Sequence, residues 1–293
     1  VPSIKDLKKR ITSTKSTQQT TKALKMVSAA KLRRAQDAIL SQRPYALEIA
    51  KLMSILAGQG TARDHETTAK APITLLIVVS SDRGLCGGYN STIIRAASNF
   101  LLEKKSSGKK VKSVFVGKKA YEIVKNRVQI DLNHYEEFSQ KITFRKATEL
   151  TKHVLPLFEA GEVDEVVIIF NEFKNAISQI VKTQRVLPIE MNHHETEEPK
   201  SQKLSHELTL YSPDKQTIYD ALKGKYFVIQ IFKALLEAQA SEHGARMSAM
   251  ESATKNAGDM IRKLTLVYNK QRQAAITKEL LEIIAGSESQ KTS

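Results

Sequence analysis

The chain has 293 residues, enough for one large or two ordinary domains, and its 41% apolar content can bury a core, which excludes a disordered chain. Its 46 Lys and Arg against 31 Asp and Glu leave a net charge of +15, which favours acidic partners: nucleic acid, anionic lipid or an acidic protein face. A single cysteine, Cys86, excludes an internal disulfide and a thiolate metal cage; no run of 18 apolar residues can span a bilayer, and the first 25 residues lack the apolar centre of a secretory signal.

Residues 1–57 contain no glycine and one proline inside the pattern, Pro44, and apolar residues recur as Ile4, Leu7, Ile11, then Leu24, Val27, Leu32, Ala35 and Ile39. That spacing predicts one long helix with a stripe suited to a partner helix. Gly58 and Gly60 end it, and residues 61–71 read as a linker. From Ile73 the texture changes to short β-branched runs, ITLLIVVS, VKSVFVG, VDEVVIIFN and ISQIVKTQRVLPI, which predict strands near 73–80, 111–117, 163–171 and 177–189. Helical stretches near 89–105, 118–126 and 144–160 separate the first three, so residues 72–210 read as a small α/β domain. HHETEEPKSQK, from His193, reads as a solvated loop. Residues 213–286 form a third segment. Steps of three and four run through Leu222, Lys225, Ile229, Phe232, Leu236, Gln239, His243, Arg246, Met250, Ala253, Ala257, Met260, Leu264, Val267, Gln271 and Ala274, the pattern of a coiled-coil strand. Residues 287–293 are left as a tail.

The two terminal helices most simply bury their stripes against each other in antiparallel fashion. At about 1.5 Å per residue the second is longer by roughly fifteen residues, so QRQAAITKELLEII is expected to project unpaired. Both stripes turn polar in mid-course, at Thr14, Gln18 and Thr21 and at Gln239, His243 and Arg246, a device that fixes register at some cost in stability.

The turn SSDRGLCGGYNS, Ser80 to Ser91, follows a buried strand, where phosphates are often held. A P-loop needs Gly-x-x-x-x-Gly-Lys-Ser/Thr, but counting from Gly84 puts Tyr89, Asn90 and Ser91 at its last three positions, and Gly84, Gly87 and Gly88 do not match G-x-G-x-x-G. An anion nest at the following helix start stays open, beside the plainer reading of a tight strand-to-helix turn with Asp82 near a cap position. Cys86 beside Arg83 lacks a histidine nearby in sequence, His193 and His194 lie in an acidic loop, and Asp82 has no partner carboxylate. No catalytic residue, metal ligand or cofactor site is nominated. The stronger signal is charge: residues 1–57 carry twelve Lys and Arg and three acids, a positive rod. It suits phosphate backbones, acidic protein surfaces or plain solvation. An aromatic content of 6% without tryptophan speaks against a nucleic-acid platform.

Four stretches, TKALKMVSAAKLRRAQ (21–36), SSDRGLCGGYNS (80–91), SAMESATKNAGDMIRKLTLVYNKQRQAAIT (248–277) and TKELLEIIAG (277–286), resemble the gamma-subunit family of F-type ATP synthases, and the likeness extends over essentially the whole chain. One departure is Gly286-Ser287, where that family usually has Gly-Ala; the Lys- and Thr-rich first helix is closer to bacterial members. The resemblance implies an α+β/α fold: a long antiparallel two-helix coiled coil with an inserted small Rossmann-like α/β domain. It implies a noncatalytic rotor shaft without cofactor, peripheral on the cytoplasmic side of the inner membrane, with the alpha and beta subunits, epsilon and the membrane c ring as partners. The alternative is a basic coiled-coil nucleic-acid-binding protein. By resemblance, Leu24, Lys25, Met26, Arg83, Cys86 and Arg246 face an acidic lever loop of beta, and Arg272, Gln273, Thr277 and Glu279 engage its catch loop. Leu280, Leu281, Ile283 and Ile284 form the axle tip. Leu208, Tyr211 and Asp214 belong to the foot near epsilon and the c ring.

Overall fold

The computed structural model describes residues 3–56, 73–125, 134–136, 142–176, 178–189, 212 and 214–291. Its elements in chain order are α1 (Ile4–Leu56), β1 (Ile73–Val79), α2 (Tyr89–Ser106), β2 (Lys110–Val116), α3 (Lys118–Val124), β3 (His134–Tyr135), α4 (Phe144–Glu159), β4 (Glu165–Phe173), β5 (Gln179–Leu187) and α5 (Lys215–Lys291). They form two compact units, one of residues 29–246 and one of residues 1–28 with 247–293.

In the larger unit the strands lie in the order β3-β2-β1-β4-β5, the first four parallel and β5 antiparallel to β4. β1 reads as an unbroken apolar run because helices cover both faces of the sheet. On one face Ile93, Ala97 and Leu101 of α2 and Ala120 and Val124 of α3 pack on Leu76, Val78, Phe115, Val167 and Ile169. On the other, Leu150, Val154 and Phe158 of α4, Met53 and Leu56 of α1, and Phe227, Ile231, Leu235 and Ala238 of α5 pack on Leu75, Ile77, Val79, Val114 and Ile168. The two-residue β3 carries too little pattern to be seen in the sequence.

The heptad reading of α5 does not hold in this unit. Residues Phe227 to Ile231 and Ala234 to Ala238 are buried without a break. A helix enclosed on several sides shows no single stripe. Its polar positions are spent on the sheet: Gln184 Nε2 donates to Gln230 Oε1 (3.3 Å), the Phe173 backbone amide to Glu237 Oε2 (2.9 Å), and Ser241 Oγ to the Asn171 carbonyl (2.9 Å).

In the smaller unit Ser3 and Asp6 cap α1 reciprocally, Ser3 Oγ accepting from the Asp6 amide and donating to its carboxylate. Contacts between the helices run in opposite chain directions: Gln18 faces Gly258, Thr254 Oγ1 donates to Thr21 Oγ1 (2.8 Å), and Lys25 pairs with Glu251. The inward positions of α1 are Leu7, Ile11, Thr14, Gln18, Thr21, Leu24 and Ser28; Val27 is 53% exposed, so the stripe passes through Ser28 instead. On α5 the stripe is Met250, Thr254, Ala257, Ile261, Leu264, Tyr268, Gln271 and Ala275, while Met260 and Val267 are exposed. The second position of each heptad falls four residues on rather than three. Both i+3 and i+4 lie near one helix face, and only the partner's position chooses between them.

Candidate functional site

The singled-out turn sits at the carboxyl end of β1. Ser80 Oγ accepts from the Ala120 amide (3.1 Å), the Ser81 carbonyl from the Lys119 amide (3.0 Å), and Asp82 Oδ1 from the Lys118 amide (3.2 Å). The first amides of α3 are thereby satisfied within the chain, and Asp82 caps α3 rather than α2. Asn90 ties the turn to the start of α2: its Oδ1 accepts from the Ser81 amide (3.1 Å) and its Nδ2 approaches Cys86 Sγ (3.2 Å).

Strand order reverses between β1 and β4, the place where open α/β sheets hold ligands. Here α5 fills it. Tyr89 Oη donates to the Ala238 carbonyl (3.1 Å), and the cavity left among Val79, Ser80, Tyr89, Leu235, Ala238 and Glu242 measures ≈ 10 Å³, no more than one water needs. Spacing and space both speak against a nucleotide at this turn.

Around the turn α5 contributes a buried polar cluster. Arg246 Nη2 pairs with Glu242 Oε1 (2.7 Å), and the same guanidinium donates to the carbonyls of Arg83 and Gly84, each at 3.3 Å. Its Nη1 lies 3.4 Å from His243 Nδ1; an arginine nitrogen only donates, so Nδ1 holds the lone pair. Burial lowers the His243 pKa to about 4, with Arg246 and Lys31 adding repulsion. Burial raises Glu242, opposed by Arg246, and burial raises the Cys86 thiol. Tyr89 is pushed well above its ordinary range, again chiefly by burial. The arrangement fastens a turn to a helix and presents no activated nucleophile.

Cys86 is 2% exposed, so it leaves the set of residues able to touch a partner: its side chain points into the α2 core. Arg246 is turned inward, its side chain 13% exposed. Arg83 and Leu85 project instead; Leu85 is 67% exposed and adopts φ 62°. Sequence reasoning missed Leu85 and Glu242, and the one available signal was an apolar residue set between turn glycines. Met26 is 60% exposed, Leu24 is half-buried, and Lys25 shares its charge with Glu251. Arg272, Gln273, Thr277 and Glu279 are exposed, as is every residue from Ile276 to Ile284, including Leu280, Leu281, Ile283 and Ile284. Asp214 caps α5, accepting from the Thr217 amide (2.9 Å) and hydroxyl (2.7 Å), which hold its carboxyl below the usual range. Leu208, Tyr211, His193 and His194 lie outside the described residues. Among the described residues no helix is long and apolar enough to cross a membrane.

The family model for ATP synthase matches residues 3–289. The ATP synthase gamma chain of Geobacter metallireducens is 45% identical over 291 residues, 99% of each chain, and that of Rhizobium etli is 44% identical over 98% of this chain and 99% of its own. Among solved structures, the chain is similar to one in the central stalk and c ring of Tetrahymena thermophila mitochondrial ATP synthase, with TM-score 0.62 and 28% identity over 80% of this chain and 99% of that one. A rotor chain of Euglena gracilis mitochondrial ATP synthase shares the fold at TM-score 0.66 and 21% identity, covering 93% of this chain and 98% of that one. Matched from end to end in this way, the chain belongs to the ATP synthase gamma chain family.

Proposed function

We propose that this chain is the rotor shaft of an F-type ATP synthase, coupling ion flow through a membrane c ring to ATP synthesis and hydrolysis in a hexamer of alpha and beta subunits. Its kinship over the whole length to gamma chains carries the reading. The fold supports it: α5 runs 77 residues, and from Ile276 to Ile284 its side chains, Leu280, Leu281, Ile283 and Ile284 among them, are exposed. In this reading the chain is noncatalytic and acts by differential contact, favouring one conformation of each beta subunit as it turns. Residues 1–57 and 213–286 are the two shaft helices, paired as an antiparallel coiled coil within 1–28 and 247–286, residues 72–210 are the α/β domain beside epsilon and the c ring, and residues 287–293 form a tail. The shaft is peripheral to the inner membrane through that ring, on the cytoplasmic side.

The contact residues follow from the family likeness and, except for the inward-facing Leu24 and the Glu251-paired Lys25, from exposure as well. Leu24, Lys25, Met26 and Arg83 face the acidic lever loop of beta, whose carboxylates the basic first helix attracts. Arg272, Gln273, Thr277 and Glu279 engage the catch loop, with charge-assisted bonds that resist torque. Leu280, Leu281, Ile283 and Ile284 turn in an apolar sleeve, and Asp214 belongs to the foot. The nucleic-acid reading finds no support among the relatives. Reconstitution with alpha and beta subunits tests the proposal: ATP hydrolysis should depend on this chain. Equal hydrolysis with and without it sinks the rotor reading, and DNA binding with a steep salt slope in its place favours the alternative.

A further inference from the structure

Leu85 is the one described non-glycine residue with positive φ, at 62°, and it is 67% exposed. A left-handed leucine is strained and persists only where its surroundings enforce it. What enforces it is visible. Arg246 donates through Nη2 to the carbonyls of Arg83 and Gly84 and through Nε to that of Gly84, the two peptide groups immediately before Leu85. Its guanidinium is aimed by Glu242, whose side chain is 6% exposed, and Nη1 faces His243. From below, Ser81 Oγ donates to the Arg83 carbonyl (2.6 Å) and Asn90 holds Ser81. No atom lies within 4 Å of the site of a Cβ on Gly84, so at that residue hydrogen bonds rather than packing hold the turn.

We infer that Arg246 is a positioning residue: paired to Glu242, it locks the turn Arg83-Gly84-Leu85 to the C-terminal helix so that Leu85 and Arg83 stand out as a rigid knob for contact with the catalytic hexamer. The turn and residues 215–246 of α5 then move as one piece, and force on the knob passes into that stretch of helix without deflecting the loop. The Arg83 side chain makes no ion pair among the described residues, so the knob offers a cation beside an apolar tip. It suits a protein surface where a carboxylate borders an apolar side chain. The contact half of this inference rests on the rotor reading; the lock does not.

Trypsin provides the test, because Arg83–Gly84 is an exposed tryptic bond whose scissile carbonyl is itself held by Arg246. In the full-length chain the initial rate of cleavage after Arg83, read by mass spectrometry against cleavage after Lys109, should rise at least about tenfold in Arg246→Gln, as expected for losing a charge-assisted hydrogen bond. Arg246→Lys should restore part of the protection. The double variant Glu242→Gln with Arg246→Gln leaves no buried charge unpaired and should still cleave fast, which separates loss of the lock from misfolding. Leu85→Asn, which tolerates left-handed backbone, should leave cleavage slow yet lower hydrolysis by the reconstituted hexamer about threefold or more, as Arg246→Gln does. Unchanged cleavage in Arg246→Gln overturns the lock. Fast cleavage with unimpaired hydrolysis overturns the positioning role. If the unsubstituted chain itself fails to stimulate hydrolysis, the rotor reading falls, while the cleavage rates still decide the lock.

Discussion

Gly117 stands at φ 91°, and a Cβ there would lie 2.1 Å from the Ser80 carbonyl oxygen, whereas one on Gly84 meets nothing within 4 Å. The glycines that drew attention in the sequence were those of the turn, yet among them Gly87, at φ 58°, has the backbone need. The tightest glycine joins β2 to α3, where the end of β1 presses on the chain. Gly117→Ala should therefore cost about 3 kcal/mol or more in urea unfolding, and Gly84→Ala should be nearly neutral. At the same scale His243 sets an acid limit. Unfolded, its imidazole titrates near 6.5; folded, at about 4. Between those values the unfolded chain holds more protons, so this contribution is full above about pH 6.5 and falls by about 1.4 kcal/mol per pH unit toward 4. Glu242, raised by burial, pulls the opposite way, and Arg246 and Lys31 face the same ring. His243→Gln should flatten the fall in unfolding midpoint between pH 7 and pH 5. An unchanged slope assigns acid sensitivity to other groups.

Helix propensity and local space compete at two glycines of α5. A Cβ on Gly258 would meet only Gln18 Nε2 at 3.0 Å, the far end of a flexible side chain whose one cross-helix bond, to the Thr254 carbonyl, is long at 3.5 Å. On Gly244 it would meet the Ala176 backbone at 3.3 Å and the Phe173 ring at 3.4 Å. Gly258→Ala should stabilise by up to about 1 kcal/mol, the ordinary glycine-to-alanine gain in a helix. Gly244→Val should destabilise by about 2 kcal/mol, because the hairpin backbone between β4 and β5 has to move. Thermal melts of the two variants check both signs. The elements themselves were legible: β-branched runs marked four strands, and the helices near 89–105 and 144–160 appear as Tyr89–Ser106 and Phe144–Glu159. Register was not. A rhythm of three and four steps cannot tell Met260 from Ile261 or Val27 from Ser28, since each pair straddles the seam and only the neighbouring helix decides.

For the whole molecule the rotor reading places function in surfaces that do nothing for the isolated fold. Arg272 and Gln273 are exposed and rest on no core, so Arg272→Ala with Gln273→Ala should leave unfolding within about 0.5 kcal/mol while lowering ATP turnover of the assembled complex more than its assembly. Normal coupled turnover by that double variant sinks the catch-loop assignment. Composition and periodicity alone pointed to two long terminal helices, the first strongly basic, around an α/β insert, and four motifs carried the resemblance to the family, because periodicity and turn chemistry are local properties written residue by residue. Tertiary structure alone decided that α5 plugs the sheet's ligand crevice, that Cys86 faces inward and that Arg246 grips the turn. Those outcomes depend on residues 162 or more positions apart in the case of Arg246 and Gly84, and no local pattern encodes which distant carbonyl a guanidinium will meet.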